Sequence, residues 1–199
     1  EGLALELAVL FHDIGKPVGS RWEFKRGRMT LTNNRHDIDG EEIVREIFDR
    51  LKIFSWNGTN LREKVLALIR CHHRPSEIWQ NRKVVTKKAF NRLAADIDGE
   101  IRLLILMDAA DRAGRSPEPV TELDKEARWL FDKFEEWNVS KETIQPLIMG
   151  RDLIPLGVNP GPGMGKILNR LYQKQLDGEF ETRAAGLKAA GRILKEEKK

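Results

Sequence analysis

A chain of 199 residues, 40% of them hydrophobic and 33% charged, is long enough for one medium domain or one domain with a small appendage. Its single cysteine, Cys71, excludes an intramolecular disulfide and a cysteine zinc cluster, and fits a reducing, cytoplasmic compartment. The net charge of +4 permits an anionic partner, while the longest aliphatic run, Leu103 to Met107, is far below the ~20 residues of a membrane span, so no membrane partner is expected.

Helical periodicity dominates from the start. Residues 2–14 are apolar nearly all round, the pattern of a buried helix rather than a secretory leader. Gly15 and Pro17 stop it. Residues 18–35 form a polar loop, with a short hairpin expected through 24–29. Helices are expected over 38–52, 60–73, 87–96 and 99–113, and the segment SPEPV at 116–120 is a proline-rich break. An amphipathic helix follows over about 121–137, with Leu123, Ala127, Leu130, Phe131 and Phe134 on one side. Beyond residue 140 the chain changes character. Short helical pieces are joined around Pro160-Gly161-Pro162-Gly163, and Ile167, Leu168, Leu171 and Leu176 recur at helical spacing. The basic, Ala-rich tail, 182–199, is expected to fray. No alternating pattern is long enough to found a sheet. The expected fold class is all-α: a helical bundle over 1–115, then a small helical C-terminal module over 116–199.

The chemistry-bearing residues sit at helix ends. His12-Asp13 closes an apolar helix, where a carboxylate is costly to bury unless it is paired or ligates a metal. Adjacent helical residues point ~100° apart, so the two converge on one ion only if it lies over the groove between them. Taken alone, such a pair is more often a capped helix end with a surface histidine. Asp108 and Asp111 follow the most apolar stretch of the chain, and their i, i+3 spacing puts both on one face; a helix reaching solvent would look the same. The four histidines are His12, His36, His72 and His73. Imidazole and carboxylate donors together suit Mn, Fe, Ni, Co or Zn. Lys16, one turn past His12-Asp13, can pair with phosphate or remain solvated. Arg70, Arg74, Arg112 and Arg115 flank these residues, and guanidinium forks match phosphate oxygens, although surface arginines are common.

The run Leu10-Phe11-His12-Asp13-Ile14-Gly15-Lys16-Pro17 resembles the motif of the HD metal-dependent phosphohydrolases. Ile69-Arg70-Cys71-His72-His73-Arg74-Pro75 looks like that family's later histidine segment. Met107-Asp108-Ala109-Ala110-Asp111-Arg112-Ala113-Gly114-Arg115 resembles its closing aspartate helix, with Asp111 the better match and Asp108 in reserve. Arg35-His36-Asp37-Ile38-Asp39-Gly40-Glu41 is similar to the histidine before the next helix in one branch, the bacterial tRNA nucleotidyltransferases and poly(A) polymerases. The stretches from Asp152 to Pro162 and from Gln175 to Phe180 look like the C-terminal module of that branch.

The resemblance implies an HD-type bundle holding a divalent ion (Mn, Ni, Fe, Co or Mg) on His12, Asp13, His36, His72 and Asp111. Asp13 and Lys16 would be catalytic, and Arg74, Arg112 and Arg115 would contact phosphate or RNA. It implies nucleotide or RNA (tRNA) substrates, with 2′,3′-cyclic nucleotides or RNA 3′ ends as candidates. Two features depart from the family pattern. HD proteins usually carry an earlier histidine ligand, and none of the eleven residues before His12 is His, so an incomplete coordination sphere is expected. The Gly-Ser and Asp-x-Asp signature of a nucleotidyltransferase head is also missing from these residues. Either an N-terminal segment precedes this stretch, or a stand-alone HD protein covers its first helix by homo-oligomerisation. Two functions follow: a phosphohydrolase, or a degenerate HD scaffold that holds tRNA for a polymerase head. In the tail, the glycines from Gly161 to Gly165 and the cations Lys166, Arg170, Lys174, Arg183, Lys188 and Arg192 can meet phosphate, though close helix packing explains the glycines as well. Trp22, Trp56, Trp79, Trp129 and Trp137 can stack bases or pack in cores.

Overall fold

The computed structural model describes residues 2–117, 120–139 and 144–196. Helix α1 (Gly2–Phe11) leads through a turn into the short α2 (Lys16–Gly19), and an antiparallel ribbon of β1 (Arg21–Lys25) and β2 (Arg28–Thr32) follows. Then come α3 (His36–Leu51), α4 (Leu61–Cys71), α5 (Arg74–Gln80), α6 (Lys87–Asp96), α7 (Ile101–Gly114) and α8 (Lys125–Glu136). The last part holds α9 (Gly150–Leu153), a 3-10 turn over Ile154–Leu156, α10 (Pro162–Leu176) and α11 (Arg183–Glu196).

Local chemistry sets several of these boundaries. Asn60 and Asp124 cap α4 and α8 by accepting from the amides of Glu63 and Ala127, which would otherwise lack partners. Pro75 and Pro162 lie in the first turns of α5 and α10, where a missing N–H costs nothing. The hairpin turns on Arg26 (φ 51°) and Gly27 (φ 80°), successive left-handed residues that match the twist of a two-residue connection.

Helix α1 lies against α4 and α7, α4 against α3, and α7 against α8. Their apolar faces make one core around Phe48, Leu66, Leu68, Ile69, Phe90, Leu104, Ile105 and Met107. This core runs past residue 115, taking in Ala127, Leu130, Val139, Ile144 and, from α10, Leu176. A second, smaller core gathers Ile148, Leu153, Met164, Ile167, Leu171, Phe180, Ala190 and Ile193.

Four expectations need correction. The helix expected over 2–14 ends at Phe11, so His12 and Asp13 stand in the turn after it. The hairpin is longer than 24–29 and is a true two-stranded ribbon. Helix α5 was not anticipated, because Arg74-Pro75 reads as a helix stop when it is in fact a helix start. The tail does not fray over 183–196: α11 buries Gly186, Ala190 and Ile193, and Arg183 is tied to the buried Asp152. Residues 197–199 lie outside the described part.

Candidate metal centre

Four chain segments converge at one end of the main bundle. The α1–α2 turn brings His12 and Asp13, the start of α3 brings His36, the end of α4 brings His72, and the solvent end of α7 brings Asp111. The packing of α1 on α7 closes the ~100-residue separation. His12 Nε2 lies 3.3 Å from Asp13 Oδ2 and 3.4 Å from Asp111 Oδ1, and His36 Nε2 lies 3.5 Å from Asp13 Oδ1. The His72 ring stands between those of His12 and His36, with centroids 5.4 and 5.2 Å away.

Each of these imidazoles is anchored in the same way. The Nδ1 atoms of His12, His36 and His72 bond to the carbonyls of Val9 (2.8 Å), Asn33 (2.5 Å) and Ile69 (2.6 Å), each three residues earlier. A carbonyl can only accept, so each Nδ1 carries a proton and Nε2 is the ring nitrogen turned toward the centre. His12 Nε2, His72 Nε2 and Asp13 Oδ1 are buried there without a hydrogen-bond partner. Orphaned buried atoms of this kind are uncommon. Ligands ~2.1 Å from one ion stand roughly 3.0–3.4 Å apart in octahedral or tetrahedral arrangements, close to the separations found here. The donor set therefore fits a divalent transition metal.

The electrostatics favour cation capture. Burial pushes the His72 pKa down from 6.5 to about 4, with help from His73, His12 and His36, so the ring is a neutral donor at physiological pH. Burial opposes the charge of Asp13, yet the Lys16 hydrogen bond and the neighbouring His12, Lys16 and His36 outweigh it and hold the carboxyl below its usual range. Burial and His36 also lower His73.

His73 was the less favoured of the two histidines in sequence, and it is present after all. It is exposed, but its Nε2 lies 2.9 Å from His36 Nε2, and one ligand atom each of His36, His72 and His73 lie within 4.8 Å of one another. Because His36 Nδ1 is the protonated nitrogen, His73 Nε2–H donates to the inward lone pair of His36. Adjacency to His72 was the sequence signal for it.

The cations are placed unevenly. Lys16 and Arg115 stand at the rim, paired with Asp13 and Asp111. Arg74 pairs with Asp96 at 3.3 Å. Arg112 is enclosed by carboxylates: Asp108, Asp124 at 2.5 and 3.0 Å, and Glu126 at 3.1 Å, with Ser76 Oγ 3.0 Å from Asp108 and 2.9 Å from Glu126. Asp108, the reserve candidate, therefore belongs to this cluster. Burial raises its pKa, against the pull of Arg112.

Comparison with known proteins fits this geometry. A family model described as "HD domain" matches residues 1–114. The chain is 28% identical over 184 residues to the CC-adding tRNA nucleotidyltransferase of Thermus thermophilus, a match covering 91% of this chain and 38% of that protein. It is 30% identical over 188 residues to the A-adding tRNA nucleotidyltransferase of Deinococcus radiodurans, covering 90% of this chain and 39% of that protein. The chain thus spans about two fifths of the length of these curated relatives. No solved structure matches it significantly. Among the described residues no helix is long and apolar enough to cross a membrane.

Proposed function

The chain belongs to the HD domain family, and from that premise we propose that it is a divalent-metal-dependent phosphohydrolase acting on nucleotide phosphoesters or RNA 3′ ends. The observation that carries the proposal is the set of orphaned donor atoms: His12 Nε2, His72 Nε2 and Asp13 Oδ1 point into one buried space, beside Asp111 and His36. His12, Asp13, His36, His72 and Asp111 would hold the ion. When bound, a divalent ion supplies Lewis acidity toward a phosphoryl oxygen and lowers the pKa of bound water. The protein's share is positioning. The three Nδ1–carbonyl bonds fix the ring planes before anything binds, a role known to tune ligand strength.

Lys16 and Arg115 stand where an incoming phosphate would arrive, each neutralising a site carboxylate in the free protein. A phosphate that draws Lys16 away leaves Asp13 free to act on a nearby proton. Arg74 and Arg112 are already held by carboxylates, so we assign phosphate contact to the rim pair and a structural part to Arg112. Because the two relatives are tRNA nucleotidyltransferases by name, the 3′ end of tRNA, a cytoplasmic substrate, is the RNA to test first.

The test is hydrolysis of 2′,3′-cyclic nucleotides and of a tRNA 3′ end in Mn, Ni, Co or Mg, comparing the natural chain with Asp13→Ala. Metal-dependent turnover that disappears in the variant is expected. Stoichiometric metal binding with no turnover on any of these substrates would sink the hydrolase and leave an RNA-holding scaffold.

A further inference from the structure

We propose that the β1–β2 ribbon is a platform for single-stranded RNA, with bases stacking on Trp22 and Phe24 and phosphates meeting the cations of its edges and tip. The choice of RNA rests on the nucleotide reading above.

The register pairs Trp22 with Leu31 and Phe24 with Met29. Side chains alternate between faces along a strand, so these four share one face. All are exposed, Trp22 by 67% and Phe24 by 72%. An isolated two-stranded hairpin is marginal, and an apolar face on one is unfavourable in water unless something binds it. Residues i and i+2 of a strand stand ~6.6 Å apart. That gap admits one flat base between two rings, each at the ~3.4 Å stacking step of nucleic acids. Trp22 and Phe24 make no ring contact with any other aromatic residue among those described, so neither face is taken up by another ring.

Charge points to the same partner. Residues 20–35 contain Arg21, Lys25, Arg26, Arg28 and Arg35 against the single carboxylate Glu23. This excess equals the whole chain's +4, so the other residues balance. Most bundle arginines are spent on carboxylates, whereas Arg21, Arg26, Arg28 and Arg35 form no ion pair among the described residues. Lys25, Arg26, Arg28 and Thr30 also line an open groove at the ribbon tip.

The ribbon springs from the metal centre itself. It starts two residues after Gly19, in the helix whose Lys16 touches Asp13. It ends beside Asn33, whose carbonyl accepts from His36 Nδ1 and whose side chain meets Ser20 Oγ at 2.5 Å. A strand lying on the ribbon would therefore lead its end toward the site.

The experiment measures fluorescence anisotropy of a labelled single-stranded RNA dodecamer on the full chain at several salt concentrations, alongside sedimentation with phosphatidylglycerol vesicles and light scattering. Trp22→Ala/Phe24→Ala should weaken RNA binding at least tenfold, the scale of losing stacked bases, with the thermal midpoint retained because both rings are exposed. Arg26→Glu/Arg28→Glu should flatten the dependence of affinity on salt, as expected when phosphate contacts are lost. Unchanged RNA affinity in both variants, vesicle binding that replaces RNA binding, or a ribbon-dependent dimer without RNA affinity would each overturn the proposal. A cyclic mononucleotide is too small to span the ribbon, so its hydrolysis reports on the site alone. Turnover without a working platform removes only this inference, whereas ribbon-dependent RNA binding without turnover supports it and removes the hydrolase.

Discussion

A methyl group on Gly15 would lie 2.1 Å from the carbonyl oxygen of His36 and 2.6 Å from the Gly40 nitrogen. The φ of Gly15 is −77°, open to any residue, so closeness and not conformation requires glycine. The turn that carries Asp13 and the first turn of α3 meet backbone to backbone. Gly15→Ala must push α3 outward, and His36 with it. We expect a loss of about 1–3 kcal/mol in urea unfolding, in line with overpacking elsewhere, and at least a tenfold drop in Mn or Ni affinity by calorimetry. Undiminished affinity would remove His36 from the ligand set.

The two adjacent histidines should respond differently to truncation. His72 aims a buried, unpartnered Nε2 at the centre, whereas exposed His73 donates to the lone pair of His36. His72→Ala should reduce metal affinity at least tenfold. His73→Ala should leave it within threefold, or tighten it by releasing His36. Equal losses would mean that both ligate.

Acid should destabilise the metal-free protein through His72. Its pKa is about 4 when folded against an ordinary 6.5, so between those values the unfolded chain binds more protons. Stability from this group is fully present above about pH 6.5 and is lost as pH falls toward 4, by on the order of 3 kcal/mol. Urea midpoints at three pH values, compared with those of His72→Gln, measure it. The variant's profile should be flatter across that window; parallel profiles would assign the acid sensitivity elsewhere.

Arg112 separates a structural role from phosphate binding. Arg112→Ala leaves Asp108, Asp124 and Glu126 facing one another with Asp108 buried. A cost of about 3–5 kcal/mol is expected, as for other buried ion pairs that lose one partner. Thermal denaturation reads it. An unchanged melting point with a raised KM for a nucleotide substrate would instead make Arg112 a phosphate contact.

Much of the site was legible because its residues end apolar helices: His12-Asp13 after α1, and Asp111 after Leu103 to Met107. Other features left no local mark. The ribbon alternates between its two faces, but its apolar face is exposed, so the alternation marked no core. Two of the partners of Arg112, Asp124 and Glu126, come from beyond the proline-rich break at 116–120, which helical periodicity in the sequence does not span. The tail read as frayed because small residues give little hydrophobic signal. Yet a Cβ on Gly186 would lie 2.8 Å from Ile148, so smallness there is what lets α11 pack closely.

Arg112 also makes the recognisable stretch and the foldable body two different things. The family match stops at residue 114, yet two of the carboxylates that hold Arg112 belong to Asp124 and Glu126, and Ala127 and Leu130 of α8 sit in the same core as Leu104 and Met107. A chain cut at 114 would leave Arg112 with Asp108 alone of its three carboxylates, and α7 with an uncovered flank. Anyone transplanting this module, and any lineage recombining it, has to carry α8 along. Val139, Ile144 and Leu176 belong to the same core, so a cut straight after Glu136 would still open it.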